Sequence, residues 1–185
     1  MTEIPGYIAG TWNIDPVHSE VGFTVKHMMV SKVRGRFDKF QGTIVTGEKP
    51  EDSSVTASID ANSVNTNNAD RDDHIRGADF FEVEKHPSWT FASTAVRDLT
   101  ADGFQLDGDL TIKGNTRPVT FDVELNGIGP DAFGGTRIGF SATTTVNRRD
   151  FGVDFNGAIP GAADAVILGD KVTITMEIEG VLQQG

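Results

Sequence analysis

An all-β fold of antiparallel strands, closed as a barrel or stacked as a sandwich, is what three features of this chain predict. Apolar side chains fall on alternate positions through most of the stretch from Val21 to Ile178. Glycine is abundant, with 21 in 185 residues, as the turns and bulges of a β protein require. One short polar stretch with helical signals, within residues 67–77, interrupts the alternation. Successive side chains point to opposite faces of a strand, so a period of two gathers the apolar set on one face. Antiparallel strands with one apolar face each hide it most simply by curling up or stacking.

Taken in order, Thr11 to Ile14 reads as a short opening strand, and Asp15-Pro16 turns the chain into a strand from about His18 to His27, capped by Met28, Met29 and Val30. Val21, Phe23, Val25 and His27 share its inner face. Arg36 to Thr46 is the next strand. Phe37 and Phe40 lie three apart and share a face only if a bulge falls near Asp38 and Lys39. Further strands are expected at about 54–60, 88–96, 104–113, 117–127, 136–147 and 171–182, with hairpin turns at Asp102-Gly103 and Lys113-Gly114-Asn115. Between Ala61 and Pro87, Thr66 or Asn67 offers an N-cap. Asp70, Asp72 and Asp73 suit a helix start, Arg76 a helix end, and Gly77 a left-handed cap. Phe80, Phe81 and Val83 follow and need something to cover, such as one end of a barrel. A second long connection, 147–169, carries Phe151 and Phe155 towards a barrel mouth.

No linker or repeat divides the chain, so residues 1–185 are read as one domain. A hydrophobic fraction of 37% suffices for a core, and 27 acidic against 16 basic residues give a net charge of −11. That balance repels phosphate backbones and anionic bilayers, which argues against nucleic-acid binding and stable membrane insertion. The absence of cysteine excludes disulfides, thiolate zinc sites and cysteine nucleophiles. Met1 to Trp12 holds no basic and apolar leader pattern, and no stretch is long enough to span a membrane, so a soluble cytoplasmic protein is expected.

Few constellations carry chemistry. The four histidines show no metal-ligand spacing, Asp70 to His74 lacks the glycine and terminal glutamate of a calcium loop, and no nucleophile elbow, P-loop or dinucleotide fingerprint occurs; neither cofactor nor metal is expected. His27 closes an apolar face, where a histidine is commonly structural. Arg148-Arg149-Asp150 suits either an anionic head group or a buried salt bridge to a carboxylate such as Asp72. Alternation places Phe23, Trp89, Phe91, Phe121 and Phe140 inside, but also Ala57, Ser93, Ala95, Gly108, Ala142 and Thr144. A barrel of about eight strands is either filled or holds one small ligand, and the pattern alone leaves both open.

Particular segments resemble the YceI-like family. Near the start these are Asp15-Pro16-Val17-His18-Ser19 with Phe23 and His27, Gly35-Arg36-Phe37, and Phe40-Gln41-Gly42. Arg71-Asp72 with His74, Phe80-Phe81, and His86-Pro87 before Trp89-Thr90-Phe91 follow. Gly108 to Gly114, Pro118-Val119, and Asn147-Arg148 with Phe151-Gly152 complete the set, so the likeness runs from about Thr11 to Leu182. The resemblance implies an extended, lipocalin-like antiparallel barrel of about eight strands. Its tunnel holds a long-chain amphiphile, a polyisoprenoid or fatty-acyl derivative, for transport, storage or sequestration. Members often pack as homodimers, and many are periplasmic.

On that basis Phe23, Val25, Phe37, Phe40, Ile59 and Phe80 are expected in the wall, with Phe81, Trp89, Phe91, Leu110, Phe121 and Phe140; His27, Arg71 and Arg148 are candidates for the polar end. Two alternatives stand beside this non-enzymatic carrier. One is an enzyme on a hydrophobic substrate with His27 as general base. The other is a solid barrel serving as a structural or partner-binding module.

Overall fold

The alternating segments pair into one antiparallel sheet whose ends meet. The computed structural model describes residues 3–28, 30–155, 158–159, 162–166 and 168–184. Its strands are β1 (Gly10–Ile14), β2 (Glu20–His27), β3 (Ser31–Phe37), β4 (Phe40–Thr46), β5 (Ser54–Asp60), β6 (Val64–Asn65), β7 (Ser88–Arg97), β8 (Gly103–Ile112), β9 (Asn115–Pro130), β10 (Thr136–Asn147), β11 (Ala158–Ile159), β12 (Ala162–Val166) and β13 (Leu168–Leu182), with one helix, α1 (Ala69–Arg76). β1, β4, β5, β7, β8, β9, β10 and β13 are neighbours in that order, and β13 pairs back with β1 to close an eight-stranded barrel.

β13 is long enough to serve two partners on one edge. Gly180 to Leu182 pair with β1, while Val172 to Glu177 pair with β2. The β2–β3 hairpin therefore prolongs the wall at one end of the ring, with β6 on its outer edge. Burial follows the period of two. On β7, Trp89 and Phe91 are buried while Ser88, Thr90 and Ala92 are exposed; on β9, Phe121 and Val123 are buried between exposed neighbours. Lys113 and Gly114 both hold positive φ, +51° and +75°, between paired Ile112 and Asn115, which is the geometry of a two-residue hairpin turn whose twist matches its strands.

Several local expectations are corrected. The bulge at Asp38 and Lys39 is a full break, so residues 31–37 form a separate strand and β4 begins at Phe40; Met29 of the expected cap lies outside the described residues. The N-cap of α1 is Asn68, whose Oδ1 accepts from Arg71 N at 3.0 Å. Asn67 has φ +63°, which is not the extended backbone of a cap, and the Thr66 hydroxyl is engaged with Asp72 and Arg71. Gly77 is extended rather than left-handed. The turn expected at Asp102-Gly103 is a five-residue loop, 98–102, with Asp98 at φ +55°. A bulge between Ser93 and Ala95 turns Ala95 outward.

Candidate functional site

The barrel is neither solid nor openly bored. Two apolar cavities lie in tandem along the strands. The first, about 130 Å³, is the bore of the ring, lined among others by Phe40, Ile59, Phe91, Leu110, Phe121 and Phe140. The second, about 360 Å³, is a chamber at the end built up by the β2–β3 hairpin, α1, the 3-10 turn Arg148–Phe151 and the start of β13. The order along each strand shows the tandem arrangement. On β2, Val21 lines the bore and Phe23, Val25 and His27 line the chamber; on β13, Ile178 and Met176 line the bore, Ile174 lines both, and Val172 and Leu168 line the chamber. From Ile178 to Leu168 is about 33 Å of strand at ~3.3 Å per residue.

Trp89 also borders both cavities. Its ring centroid lies 4.7 Å from that of Phe37 and 5.1 Å from that of Phe81, both edge-on, and Phe37 lies 5.7 Å from Phe23. These rings form the partition that separates bore from chamber. Phe37, expected in the wall, is 2% exposed and lies within this partition. The tunnel that the family resemblance implies is thus interrupted at one level. Of the small residues thought to open it, Ala57 and Ala142 do line the bore. Gly108 does not leave space, since a Cβ built there would overlap the ring of Phe91.

The chamber brings His27, Arg71, Phe80, Phe81 and Arg148 together, and with them residues that the alternation did not mark. His74 and Phe155 are the chief of these. His74, Phe80 and Phe155 stack edge-on with centroids 5.0, 5.1 and 5.2 Å apart, and His74 Nε2 lies 2.8 Å from Asp79 Oδ2. His74 was legible as one residue of an acidic helix and of a family-like segment, without a role; its place in this stack depends on a contact with Phe155, 81 positions later.

Arg148 is the most unusual group. It is 5% exposed. Nε donates to Gly169 O at 3.0 Å, and Nη1 donates to Val153 O and Phe155 O, each at 2.7 Å. Among the described residues Nη2 has no hydrogen-bond partner, and Asp170 lies 3.9 Å from it. Burial, and then the positive charge of Arg149, push its pKa below the usual arginine value. The alternative of a salt bridge to Asp72 is overturned: Asp72 accepts from Thr66 N at 2.8 Å and from the Thr66 hydroxyl at 2.5 Å. Arg71, on the chamber rim, donates from Nε to the same hydroxyl at 2.8 Å and from Nη2 to Thr66 O at 2.7 Å.

Asp15, His18 and Glu179 converge elsewhere, with ligand-type atoms within 4.8 Å of one another. Arg137 Nη1 already lies 2.8 Å from Asp15 Oδ2 and 3.3 Å from Glu179 Oε2, so a guanidinium supplies the positive charge there.

A closed, eight-stranded antiparallel barrel with an apolar, partly hollow interior defines a lipocalin-like class of protein. Within that class, the chain belongs to the YceI-like domain family, whose sequence model matches residues 12–180. A UPF0312 protein of Pseudomonas putida (strain W619) is 38% identical over 168 residues, covering 90% of this chain and 83% of that protein. The crystal structure of a Campylobacter jejuni YCEI protein, 28% identical, superposes with a TM-score of 0.74 over 100% of both chains. A polyisoprenoid binding domain from Saccharophagus degradans shares the fold, with a TM-score of 0.69 at 17% identity over 95% of this chain and 100% of that one.

Proposed function

We propose that this protein binds a long-chain amphiphilic lipid, an isoprenoid or fatty-acyl derivative, inside its barrel, and acts without catalysis as a carrier, store or sequestering protein. The observation that carries this reading is the pair of apolar cavities in tandem along β2 and β13, with Trp89 and Ile174 bordering both. A slender chain lying in the chamber reaches the bore when the Phe81 and Trp89 rings part. Burial alone supplies enough affinity: at about 0.8 kcal/mol per methylene, ten methylenes contribute about 8 kcal/mol before ordering costs, a micromolar scale. The polyisoprenoid binding of the Saccharophagus degradans domain, which has the same fold, is consistent with such a ligand.

Native mass spectrometry of the purified protein, followed by lipid extraction, tests the proposal. Co-purified lipid, or uptake of prenyl or fatty-acyl probes by emptied protein, is the expected result. Protein that is empty and takes up neither probe overturns it. Ala142 lines the bore, so Ala142→Trp fills it and is expected to reduce uptake of long chains at least tenfold while the circular dichroism of the barrel persists. Undiminished uptake would remove the bore from the binding path.

A further inference from the structure

The charge of this chain is unevenly spread. Its net value is −11, yet residues 21–37 hold Lys26, Lys32, Arg34 and Arg36 and no acid. This segment is the β2–β3 hairpin. Its inward residues Val25, His27 and Val33 line the chamber, so Lys26, Lys32 and Arg34, all exposed, stand on the outer wall of the same strands. Lys171 of β13, exposed and next to Val172, which pairs with Val25, extends the band. Lys26 lies directly opposite Lys32, a juxtaposition of like charges that costs stability. Arg36 is paired with Asp38 at 3.0 Å, but Lys26, Lys32, Arg34 and Lys171 form no ion pair among the described residues. Asp170, beside Lys171, is held by Arg149 at 2.8 Å. At the tip of the hairpin two apolar side chains face outward, Met28 at 42% and Val30 at 86% exposure.

We propose that the β2–β3 hairpin, with Lys171, is a peripheral docking surface for an anionic lipid bilayer. An apolar tip above a collar of unpaired cations matches the bilayer interface: Met28 and Val30 enter the head-group boundary, and the cations meet lipid phosphate. Such docking lays the protein on the membrane and inserts no segment through it. The net negative charge acts against it only at long range. The screening length is about 10 Å at about 0.1 M salt, so acids farther away than that are largely screened, whereas cations in contact are not. The opposite end of the barrel shows the contrast. Phe133 and Val17 are 88% and 82% exposed there, but their backbone N–H groups donate to Asp131 and Asp15, and an anionic surface repels that end. Docking by the hairpin turns the chamber, not the bore, toward the membrane. The proposal goes beyond the lipid-binding reading and holds whether or not the cavities are filled.

Co-flotation of the intact protein with vesicles tests this, comparing phosphatidylcholine alone with phosphatidylcholine containing phosphatidylglycerol, at about 0.1 M salt. Each basic residue at such a surface is worth about fivefold in partitioning. The wild-type protein is expected to partition at least about tenfold more onto the anionic vesicles, and to be released by about 1 M salt, where the screening length is about 3 Å. Lys32→Gln with Arg34→Gln is expected to lower that partitioning about twentyfold or more. Val30→Asp should lower it as well, and Phe133→Ser at the opposite end should leave it unchanged. All four positions are exposed, and circular dichroism checks that the barrel persists. Equal partitioning onto both kinds of vesicle, or no partitioning onto either, overturns the docking surface and leaves lipid uptake into the cavities to its own test. Loss of partitioning with Phe133→Ser but not with the hairpin variants overturns it too. So does a change in self-association, read by sedimentation velocity, when the hairpin variants leave vesicle binding intact, since the band is then a contact between copies of the chain.

Discussion

Phe23 and Gly35 face each other across β2 and β3, and a Cβ built on Gly35 would overlap the Phe23 ring, meeting side-chain atoms alone. The aromatic ring lies over the bare backbone and supplies the surface that glycine lacks. Gly35→Ala is therefore expected to cost about 1–3 kcal/mol by overpacking. Gly35→Ala with Phe23→Leu should cost less than the sum of the two single changes, because the shorter side chain removes the overlap. Urea unfolding of the four proteins measures the coupling; additive costs would show that the ring does not depend on the glycine. The Phe91 ring covers Gly108 diagonally, with Ala92 O also close, and this explains why the interior is fuller than its small residues imply. Alternation states the side to which a residue points. It does not state which neighbour's ring covers a gap, since that depends on cross-strand register.

Among the elements, α1 shows how a polar helix closes an apolar chamber. Its eight residues include one large apolar side chain, Ile75, buried at 9% exposure. The existence of the helix was legible from the run of aspartates and the asparagines before it, but its role was not. Arg71, His74 and Ile75 reach the chamber together from a segment with no apolar stripe, and the ring contacts that place His74 come from Phe80 and from Phe155, which lie outside the helix. Its start is held by Asn68 Oδ1 on Arg71 N. Asn68→Ala is expected to cost about 1 kcal/mol and to speed amide hydrogen exchange across residues 69–76 more than in β8 or β9. Uniform acceleration would instead indicate that the helix unfolds only with the barrel.

At the scale of the molecule, the nine expected strands made an antiparallel barrel or sandwich legible, because each apolar face needs cover, and the resemblance to the family pointed to the barrel. The partition at Trp89 was not legible, because whether rings from β2, β3 and β7 meet depends on where β13 exchanges one partner for another. The end of the barrel remote from the chamber has its own tie. Arg137 on β10 donates from Nε to Asp131 Oδ2 at 2.9 Å and from Nη1 to Asp15 Oδ2 at 2.8 Å, with Glu179 of β13 at 3.3 Å, so one guanidinium joins three segments far apart in sequence. Hydrogen bonds from His18 and then Arg137 hold the Asp15 carboxyl well below its ordinary value of 3.8. The backbone N–H groups of Gly135 and Phe133, and then Arg137, lower that of Asp131. A carboxylate with a depressed folded-state pKa contributes stability that is complete above the unfolded value and declines as pH falls through it toward the folded one. Arg137→Met should therefore lower the urea midpoint at pH 7, and the deficit relative to wild type should shrink at pH 3, where the unfolded carboxyls are largely protonated. An equal deficit at both pH values would assign the effect to the packing of the arginine stem rather than to the ion cluster.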